Sequence, residues 1–377
     1  MSTAAGLIFS NIHNSSMPEL TSVRTMASVP FGCRYRLVDF PLSNMVNSGI
    51  TKVGIITHNN YQSLMDHIGT GKDWDLARRS GGIRILPPFI TSYNSANGGK
   101  LYSTRLEALM GVTGFISKCT EEYIVLSDCD GICSIDLNEV IEDHIKKNAD
   151  ITIVTRTVNF KKEIPSDGAT EIKCDKDGFA TEVSAYIDYD RSAEISTNII
   201  VANRLFLLNV INDASAHGYM HFYRDIIARR VKNARINCYH YEGIYLQITS
   251  LESYFRCSMQ LLDPEVRNGL FLKESPIYTK LRNSAPTVYA EGSKVNNSYV
   301  ADGCVIEGTV ENSIIFRGVH IGKGTVVKNS VLLQDTFTGT NVSLNCVITD
   351  KNVVIRNNRV LSGHESMPFF ISKGAMV

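Results

Sequence analysis

The segment from Asn312 to Thr336 reads NSIIFRGVHIGKGTVVKNSVLLQDT, and the spacing of its aliphatic residues decides the fold of the last third of the chain. An aliphatic residue recurs every six positions, at Ile315, Ile321, Val327 and Leu333. A six-residue period fits neither an α-helix nor an alternating strand. It is typical of a parallel β-helix, in which each flat side of a triangular coil is a short strand.

The same period continues on both sides of this segment, with two changes of frame. Val300 and Ile306 precede it, and Val342, Ile348 and Val354 follow it, each set displaced by three residues. We expect these aliphatic side chains to fill the interior of the coil. A β-sandwich of short strands is the alternative, but a sandwich does not require a fixed period. Glycines that we expect to help turn the corners are Gly303, Gly308, Gly318, Gly322 and Gly324.

The residues before the β-helix show alternating strand and helix patterns, which predict one α/β domain. A short helix, Leu42–Ser48, is expected to end at Gly49. A second helix, Asp136–Asn148, begins with Asp136 as N-cap and Glu139 as the partner in a capping box. Its expected apolar face comprises Val140, Ile141 and Ile145. The predicted buried strands are Lys52–Thr57 (KVGIIT), Glu122–Leu126 (EYIVL) and Ile151–Thr157 (ITIVTRT).

The order of strand, helix and strand predicts a right-handed parallel crossover. Ligands of such sheets lie beyond the carboxyl ends of the strands. Four residues follow the EYIVL strand at such an end: Ser127, Asp128, Cys129 and Asp130. We therefore expect a ligand-binding site at this part of the chain.

The chain has 377 residues, more than one hydrophobic core usually organises, so two domains are expected. We predict an α/β domain over residues 1–262, a connector over 263–286 and the β-helix over 287–377. The connector contains Pro264, Pro276 and Pro286, and its apolar residues predict that it packs against the rest of the chain. Those residues are Leu270, Phe271, Leu272, Ile277 and Tyr278.

The charge balance and the cysteines limit the class of protein to which the chain can belong. Lys plus Arg and Asp plus Glu both total 38, which gives no general attraction to nucleic acid or to an anionic membrane. The first ten residues lack a basic start and a long apolar run, so we expect no signal peptide and no transmembrane span. The nine cysteines are odd in number and show no metal-ligand spacing, which favours reduced thiols in the cytoplasm.

Several segments together resemble the ADP-glucose pyrophosphorylases, which are the glucose-1-phosphate adenylyltransferases of glycogen and starch synthesis. The resemblance covers essentially the whole chain, and the segments occur in the order found in that family. It implies a Rossmann-like (GT-A-like) nucleotidyltransferase domain followed by a left-handed parallel β-helix. The segments are Val29–Ile50 (VPFGCRYRLVDFPLSNMVNSGI), Trp74–Pro88 (WDLARRSGGIRILPP), Tyr123–Leu137 (YIVLSDCDGICSIDL), Tyr241–Leu262 (YEGIYLQITSLESYFRCSMQLL) and Asn312–Thr336.

The family joins ATP and glucose 1-phosphate into ADP-glucose and pyrophosphate, and the resemblance implies three devices for this reaction. The first is a GGxGxRL loop, whose backbone N–H groups surround the triphosphate. Gly6 matches the start of this region, but Phe9–Pro18 lacks the loop glycines and the arginine. Because side chains replace glycine, the backbone cannot approach phosphate as closely.

The second device is a pair of aspartates that hold Mg²⁺. Asp130 matches the first aspartate, with Asp128 as a rival, whereas Gln247 stands in place of the second. Asp130 is therefore a vestigial catalytic and metal residue. The resemblance implies Mg²⁺ for the family but weak or no Mg²⁺ binding here.

The third device is a lysine that binds the sugar phosphate. Thr181–Asp190 occupies its region and contains no lysine, while Ser196 keeps the serine of a neighbouring motif. His58 falls near the expected adenine position, so Gly6, His58 and Ser196 are the candidate nucleotide and sugar-phosphate residues. Arg24, Arg34 and Arg36 are the candidate effector-binding residues, since in the family positive charges here and on the β-helix bind phosphorylated ligands.

With three devices altered, the chain resembles the regulatory D-type subunit of some bacteria. That resemblance implies a catalytically weak or inactive subunit that modulates a catalytic ADP-glucose pyrophosphorylase subunit in a hetero-oligomer, a tetramer, with contacts from the β-helix. A phosphorylated small molecule is the expected effector. An active sugar-phosphate nucleotidyltransferase with a divergent phosphate loop is the alternative. An acyltransferase using His320 or His364 is a third, less favoured hypothesis.

Overall fold

Aliphatic runs form the centre of the front part of the chain, because strands covered on both faces need apolar side chains at every position. All six residues of Ala4–Phe9 are buried, as are all six of Tyr123–Asp128. The structure is a computed structural model and describes residues 3–87, 102–160, 169–185 and 191–377. No helix in these ranges is long and apolar enough to cross a lipid bilayer.

The front part contains thirteen strands and ten α-helices within the described residues. The strands are β1 (Ala4–Phe9), β2 (Pro30–Phe31), β3 (Tyr35–Arg36), β4 (Lys52–Ile56), β5 (Gly82–Leu86), β6 (Tyr123–Asp128), β7 (Gly131–Cys133), β8 (Ile151–Asn159), β9 (Glu171–Cys174), β10 (Ala180–Ser184), β11 (Ser192–Asn203), β12 (Ile236–His240) and β13 (Tyr245–Gln247). The helices are α1 (Pro18–Thr21), α2 (Asp39–Asn47), α3 (Gln62–Ile68), α4 (Arg105–Gly111), α5 (Thr113–Ser117), α6 (Leu137–Lys146), α7 (Arg204–His217), α8 (Ala228–Arg230), α9 (Leu251–Gln260) and α10 (Pro264–Leu270).

Nine strands form one mixed sheet whose main path runs β10-β9-β11-β6-β1-β4-β5, with β8 pairing to β11 and β12. Strands β6, β1, β4 and β5 are parallel neighbours, so their carboxyl ends meet at one edge. At that edge Phe9 lies in register with Asp128 on one side and Ile56 on the other. The segments after β1 and β6 are therefore brought together.

The predicted strands are confirmed with small shifts of their ends. Strand β6 extends through Asp128, so this aspartate is the last strand residue rather than part of the following turn. Strands β6 and β8 both run antiparallel to β11, which lies between them. They are parallel to each other, as predicted, but they are not adjacent.

Helix α2 is also longer than expected and begins at Asp39. In α6, Asp136 is the N-cap as predicted and accepts from the Asn138 N–H. Glu139 does not complete a capping box; its carboxylate accepts a hydrogen bond from Tyr239 at 3.0 Å. The prediction that Ile145 belongs to the apolar face is wrong, since it is 50% exposed, and His144 takes the buried position.

The last part of the chain is a left-handed parallel β-helix of fifteen short strands on three faces. The first face is β14 (Val288–Tyr289), β17 (Val305–Ile306), β20 (His320–Ile321), β23 (Phe337–Thr338) and β26 (Val354–Ile355). The second face is β15 (Lys294–Asn296), β18 (Thr309–Glu311), β21 (Val326–Lys328), β24 (Ser343–Asn345) and β27 (Val360–Ser362). The third face is β16 (Tyr299–Val300), β19 (Ile314–Ile315), β22 (Val331–Leu332), β25 (Val347–Thr349) and β28 (Phe369–Ile371).

The interior of the β-helix follows the six-residue period only in part. His320, Phe337 and Val354 stack in register, so each of these coils spans 17 residues, one fewer than three six-residue sides. Three assignments to the interior are wrong, because the frame slips by one residue in each of these 17-residue coils. Leu333 and Ile348 are buried against the front part, and Val354 faces outward from the first face. Interior positions predicted correctly include Ile306, Ile315, Ile321, Val327 and Val342.

The corner glycines fall into two groups. Gly303, Gly318 and Gly324 have positive φ, as a corner requires, and asparagines such as Asn329 take the same role elsewhere. Gly308 is needed for a different reason, because a Cβ there would lie 2.3 Å from the Thr325 carbonyl oxygen of the next coil. Gly322 is likewise close to a carbonyl of the following coil.

The third face of the β-helix packs directly on the front part. Ile314, Val331 and Ile348 are fully buried in the same hydrophobic core as Phe40 of α2 and Tyr254 of α9. The two parts therefore share one core at this junction.

The connector packs as predicted at three of its apolar residues. Leu270 is fully buried, Ile277 is 8% exposed, and the Phe271 ring stacks on Tyr35 with centroids 5.1 Å apart. Leu272 and Tyr278 contribute less, since each is 37% exposed.

A buried ion pair also crosses this junction. The Arg24 guanidinium donates to both carboxylate oxygens of Asp350, at 2.9 Å each, and the side chains are 3% and 1% exposed. Arg24 also donates to the Leu20 carbonyl at 3.1 Å. The pair fixes the segment after α1 to the coil that contains β26.

We predict that Arg24→Ala destabilises the protein by about 3–5 kcal/mol, because it leaves the Asp350 carboxylate buried without its partner. Denaturant unfolding of the full chain measures the loss. Arg78→Ala is the matched control, since Arg78 pairs with Asp75 at an exposed site and its loss should cost no more than about 1 kcal/mol. The double change Arg24→Met with Asp350→Leu should recover most of the stability. Equal effects of Arg24→Ala and Arg78→Ala would contradict the prediction.

Candidate nucleotide and metal site

Two aspartates lie at the carboxyl edge of the sheet. Asp128 ends β6, and Asp130 lies just before β7. Their exposures are 3% and 1%, so both carboxylates are removed from bulk solvent. Carboxylates this deeply buried require positive charge or hydrogen-bond donors beside them.

Three further side chains, from His13, Arg105 and Gln247, supply those groups. We call these three residues, together with Asp128 and Asp130, the aspartate cluster. His13, from the segment after β1, places Nε2 2.7 Å from Asp128 Oδ2 and 3.7 Å from Asp130 Oδ1. Arg105, the first residue of α4, donates to Asp128 from Nη2. Gln247 in β13 donates from Nε2 to Asp130 Oδ2 at 3.2 Å.

The local fold explains why these side chains meet. Strand β13 pairs antiparallel with β7, and Gln247 lies in register with Gly131, beside Asp130. Thr104 and Glu107 form a capping box that fixes the first turn of α4, from which Arg105 projects. The Arg105 guanidinium also lies over the Phe9 ring at 5.6 Å, next to the end of β1.

The electrostatics of the cluster follow from burial and from these contacts. Burial opposes the charge of His13, but Asp130 and Asp128 outweigh it and raise the pKa of His13 to about 9. Burial would raise the pKa of Asp128, yet Arg105 and His13 hold that pKa below its usual value. Burial, helped by the charge of Asp128, raises the pKa of Asp130. Two cations thus face two carboxylates within the cluster.

The cluster can be tested for its fit to Mg²⁺. Ligand atoms of His13, Asp128 and Asp130 lie within 4.8 Å of one another, and Oδ1 of each aspartate has no hydrogen-bond partner among the described residues. However, His13 and Arg105 already supply the positive charge, and Gln247 directs an N–H group at Asp130. Mg²⁺ prefers a shell of oxygen ligands, so this donor set does not fit it.

The prediction that Gly6 contacts a nucleotide or sugar phosphate is wrong. It lies inside β1, between Val53 and Val125, and a Cβ there would lie 2.3 Å from Met45 Sδ. The glycine therefore allows α2 to pack on the sheet and does not face a ligand. The residues around Gly6 in the sequence could not indicate this contact, because Met45 belongs to another element.

His58 and Ser196 lie near the same edge of the sheet. The His58 ring meets Tyr102 edge-on at 4.5 Å, and Tyr102 donates to Asn11 Oδ1 at 2.9 Å. Ser196 Oγ forms a hydrogen bond with the Tyr223 hydroxyl at 2.5 Å. Because Arg105 lies over the Tyr223 ring at 5.7 Å and also donates to Asp128, three successive contacts connect Ser196 to Asp128.

The region predicted to have lost the sugar-phosphate lysine is described only in part. Residues 181–185 are described, with Ala180–Ser184 forming β10, and residues 186–190 lie outside the described part of the chain. Pro88, the last residue of a segment quoted for the resemblance, also lies outside it.

A second site lies where the front part, the connector and the β-helix meet, and we call it the junction pocket. Arg34 and Arg36 line it, whereas Arg24 does not, because it is buried in the ion pair with Asp350. The prediction for Arg24 is therefore wrong. No Asp or Glu is among the described residues that line the pocket. Its cationic residues are Arg34, Arg36, Lys280, Arg282, Arg317 and Lys351.

Sequence reasoning missed several of these residues. His13 and Arg105 belong to no motif, and only the unusual loop after β1 could have drawn attention to His13. Lys280 and Lys351 come to the junction pocket from the connector and from the β-helix. No local signal joins residues so far apart in the sequence.

Comparisons with protein families match the two parts separately. The nucleotidyl transferase family matches residues 16–166, and the GlmU-like C-terminal hexapeptide family matches residues 285–366. The first match includes β6, which carries Asp128, and the second falls on the β-helix.

Full-length relatives extend these matches. The glycogen biosynthesis protein GlgD of Bacillus subtilis is 33% identical over 371 residues, which covers 98% of this chain and 95% of that protein. The glucose-1-phosphate adenylyltransferase of Thermosipho africanus is 32% identical over 336 residues, covering 87% and 78%. The enzyme of the same name from Clostridium botulinum strain Eklund 17B is 31% identical, covering 86% and 83%. With the same two-part fold and this extent of likeness, the chain belongs to the glucose-1-phosphate adenylyltransferase family of glycogen-biosynthesis proteins.

Proposed function

We propose that this chain is a regulatory, catalytically weak or inactive subunit of glucose-1-phosphate adenylyltransferase, acting on a catalytic partner subunit. The aspartate cluster carries the proposal. His13 and Arg105 both contact Asp128, and they occupy the surroundings that a metal-bound triphosphate would need. A bound metal would have to displace or repel these cations, at a cost that family members with an open site do not meet.

The segment after β1 adds a second reason. Phosphate binding by a loop depends on backbone N–H groups that approach the ligand without intervening side chains. Here Asn14–Ser16 forms a 3-10 turn, and the Asn14 side chain accepts a hydrogen bond from the Met26 N–H at 2.7 Å. The segment is therefore held by its own contacts rather than left as an open glycine cradle.

The proposed partner is a catalytic chain of the same family in a hetero-oligomer, a tetramer, that operates in the cytoplasm. The family relationship supports this, because a chain without turnover needs an active relative to affect ADP-glucose synthesis. None of the nine cysteines forms a disulfide bond, which fits a reducing compartment. The position of His320 does not favour the acyltransferase hypothesis. Its ring is stacked on the Phe337 ring, with the two centroids 4.8 Å apart.

We propose that the junction pocket binds a phosphorylated small molecule. Six cationic side chains line the pocket without a lining carboxylate, and of these Arg317 is paired with Asp302 at 3.0 Å. The remaining excess of positive charge favours anions, and arginine suits the oxygens of phosphate groups. Residues from the front part, the connector and the β-helix all line the pocket. A bound anion would therefore relieve repulsion across the junction and favour one arrangement of the two parts.

The direct test is an assay of ADP-glucose formation by this chain alone, by its catalytic partner alone and by the two together. We expect little or no turnover by this chain and a changed rate or effector response in the mixture. Full activity of the purified chain would show instead a working nucleotidyltransferase with a divergent phosphate loop. A mixture that behaves as the catalytic partner alone would contradict the regulatory role.

The second test measures Mn²⁺ binding by electron paramagnetic resonance. We predict that the double variant His13→Ala with Gln247→Asp binds Mn²⁺ at least about tenfold more tightly than the wild type, because it removes a cation and restores a carboxylate. His217→Ala, which alters a histidine at the exposed end of α7, is the control and should not change binding. If His13 were a metal ligand, the double variant would instead bind more weakly than the wild type.

The third test uses sulfate, whose charge is constant between pH 6 and 8.5, as a probe of the junction pocket. Burial, together with Arg36, Arg24 and Arg282, lowers the pKa of Lys351 to about 7, with Asp350 opposing the shift. Lys351 is therefore charged at pH 6 and mostly neutral at pH 8.5. We predict that sulfate affinity, measured by calorimetry, falls severalfold to about tenfold over this range.

His67 is the other residue lining the junction pocket whose charge could change between pH 6 and 8.5, but burial keeps its pKa below the usual value. Lys351→Met should weaken sulfate binding at pH 6 and flatten the pH profile. Lys323→Met, at an exposed position of the β-helix, is the matched control and should keep the wild-type profile. A pH-independent affinity in the wild type would overturn the assignment of Lys351.

A further inference from the structure

Two cysteines of the front part come from separate strands and lie side by side. Cys174 is the last residue of β9, and Cys238 lies in the middle of β12. Because side chains alternate between the two faces of a strand, Cys174 shares a face with Ile172, and Cys238 shares a face with Ile236. Both faces contribute to one hydrophobic core. The two thiols are joined there by a hydrogen bond, which Cys238 donates to Cys174.

A turn attaches the strand of the first cysteine to the strand of the second. The chain reverses between β9 and β10 at residues 175–179, and this turn lies against β12. The Cys238 N–H donates to the Gly178 carbonyl at 2.8 Å, and Phe179 pairs antiparallel with Asn237. The hairpin of β9 and β10 therefore contacts β12 at the place where the two thiols meet.

The two thiols differ in exposure and in pKa. Cys174 is partly exposed, whereas Cys238 is only 9% exposed. The hydrogen bond from Cys238 lowers the pKa of the Cys174 thiol, and burial opposes this shift. Among the charged neighbours, Lys147 favours the thiolate of Cys174, while Glu194 and Asp175 disfavour it. The same hydrogen bond, together with burial, raises the pKa of Cys238.

The other seven cysteines lack this combination of a reachable, more acidic thiol and an adjacent partner thiol. Cys257 is 2% exposed and donates to the Gln247 carbonyl at 3.5 Å. Burial raises the pKa of the remaining six, which are Cys33, Cys119, Cys129, Cys133, Cys304 and Cys346. The thiolate is the reactive form of cysteine, so we expect Cys174 to react first with an oxidant.

We propose that Cys174 and Cys238 form a site of reversible oxidation, at which a peroxide converts the two thiols into a disulfide bond within the chain. The Cys174 thiolate attacks one oxygen of hydrogen peroxide, the O–O bond breaks, and hydroxide leaves Cys174 as the sulfenic acid. The Cys238 sulfur then attacks the sulfenic sulfur, so that the S–S bond forms and the S–O bond breaks with release of water. In total, two thiols lose two electrons and two protons, and the peroxide becomes two molecules of water. A dithiol reductant reverses the reaction by thiol–disulfide exchange.

The disulfide bond fixes the hairpin of β9 and β10 to β12, because the hydrogen bond from the Cys238 N–H to Gly178 can no longer open by separation of the two elements. In a reducing compartment both cysteines remain thiols until a peroxide is present. The proposal does not depend on the regulatory role, since neither cysteine belongs to the aspartate cluster or lines the junction pocket.

Counting the thiols of the purified full-length chain tests the proposal. The chain is reduced, separated from the reductant and treated with hydrogen peroxide, and its thiols are titrated with dithionitrobenzoate after unfolding. We expect the count to fall from nine to seven, because one disulfide bond consumes two thiols, and to return to nine after treatment with dithiothreitol. Mass spectrometry of the unreduced digest should show Cys174 joined to Cys238.

Three variants separate the roles of the two cysteines from general oxidation. Cys174→Ser should keep all its remaining thiols, whereas Cys238→Ser should lose only one, as a sulfenic acid on Cys174 that dimedone traps. Cys119→Ser is the matched control and should still lose two thiols, because Cys119 is a buried thiol that donates to the Phe115 carbonyl at 3.3 Å. An unchanged count in the wild type, a disulfide bond between other cysteines, or a wild-type loss in Cys174→Ser would overturn the proposal.

Hydrogen exchange tests whether the disulfide bond fixes the hairpin. The Cys238 amide is the reporter, because it exchanges only when its hydrogen bond to the Gly178 carbonyl opens. We expect oxidation of the wild type to slow exchange of this amide severalfold, and Cys174→Ser to exchange at the same rate before and after peroxide. Equal rates in the oxidised and reduced wild type would contradict the attachment of the hairpin to β12 by the disulfide bond.

Discussion

The carboxylates of Asp128 and Asp130 are both buried at the carboxyl edge of the sheet, and two such charges need compensation. In a nucleotidyltransferase the compensation arrives with the substrate, as a metal ion on the phosphates. Here it is part of the chain, because His13 and Arg105 provide two positive charges and Gln247 donates a hydrogen bond. A site that is neutral without its substrate has no electrostatic reason to gather a triphosphate and its cation. On the proposed function, the chain keeps the fold of the family while its reaction is weak or absent.

Packing requirements account for other residues of the front part. Position 6 requires a glycine because Met45 of α2 occupies the space beside it, and this requirement is independent of any reaction at the edge of the sheet. The junction is kept for the same kind of reason. The third face of the β-helix shares a hydrophobic core with α2 and α9, and the pair between Arg24 and Asp350 lies within the same contact. These packing constraints do not depend on whether the chain binds a phosphate.

The sequence predicted the architecture well, because periodic burial is a local signal. The six-residue repeat identified the β-helix, but it placed Leu333 in the interior, since a 17-residue coil shifts the frame by one residue and the period alone cannot show that. The site was less predictable. Asp130 was found from its strand end, whereas His13 and Arg105 depend on tertiary contacts. Arg24 was assigned to a ligand because its partner Asp350 lies 326 residues away.

The junction pocket and the aspartate cluster are connected through one rigid element, α2. At its first residue, Asp39 accepts from the Arg36 N–H at 3.0 Å and lies 2.6 Å from His67 Nε2, and both partners line the junction pocket. Further along the helix, Asn44 donates to the Cys133 carbonyl at 3.0 Å, at the end of β7. Strand β7 in turn holds β13 and its Gln247 beside Asp130. An anion that repositions Arg36 would therefore act on the helix that supports the aspartate cluster. This chain of contacts is the physical link between the two sites that the proposed regulatory function requires.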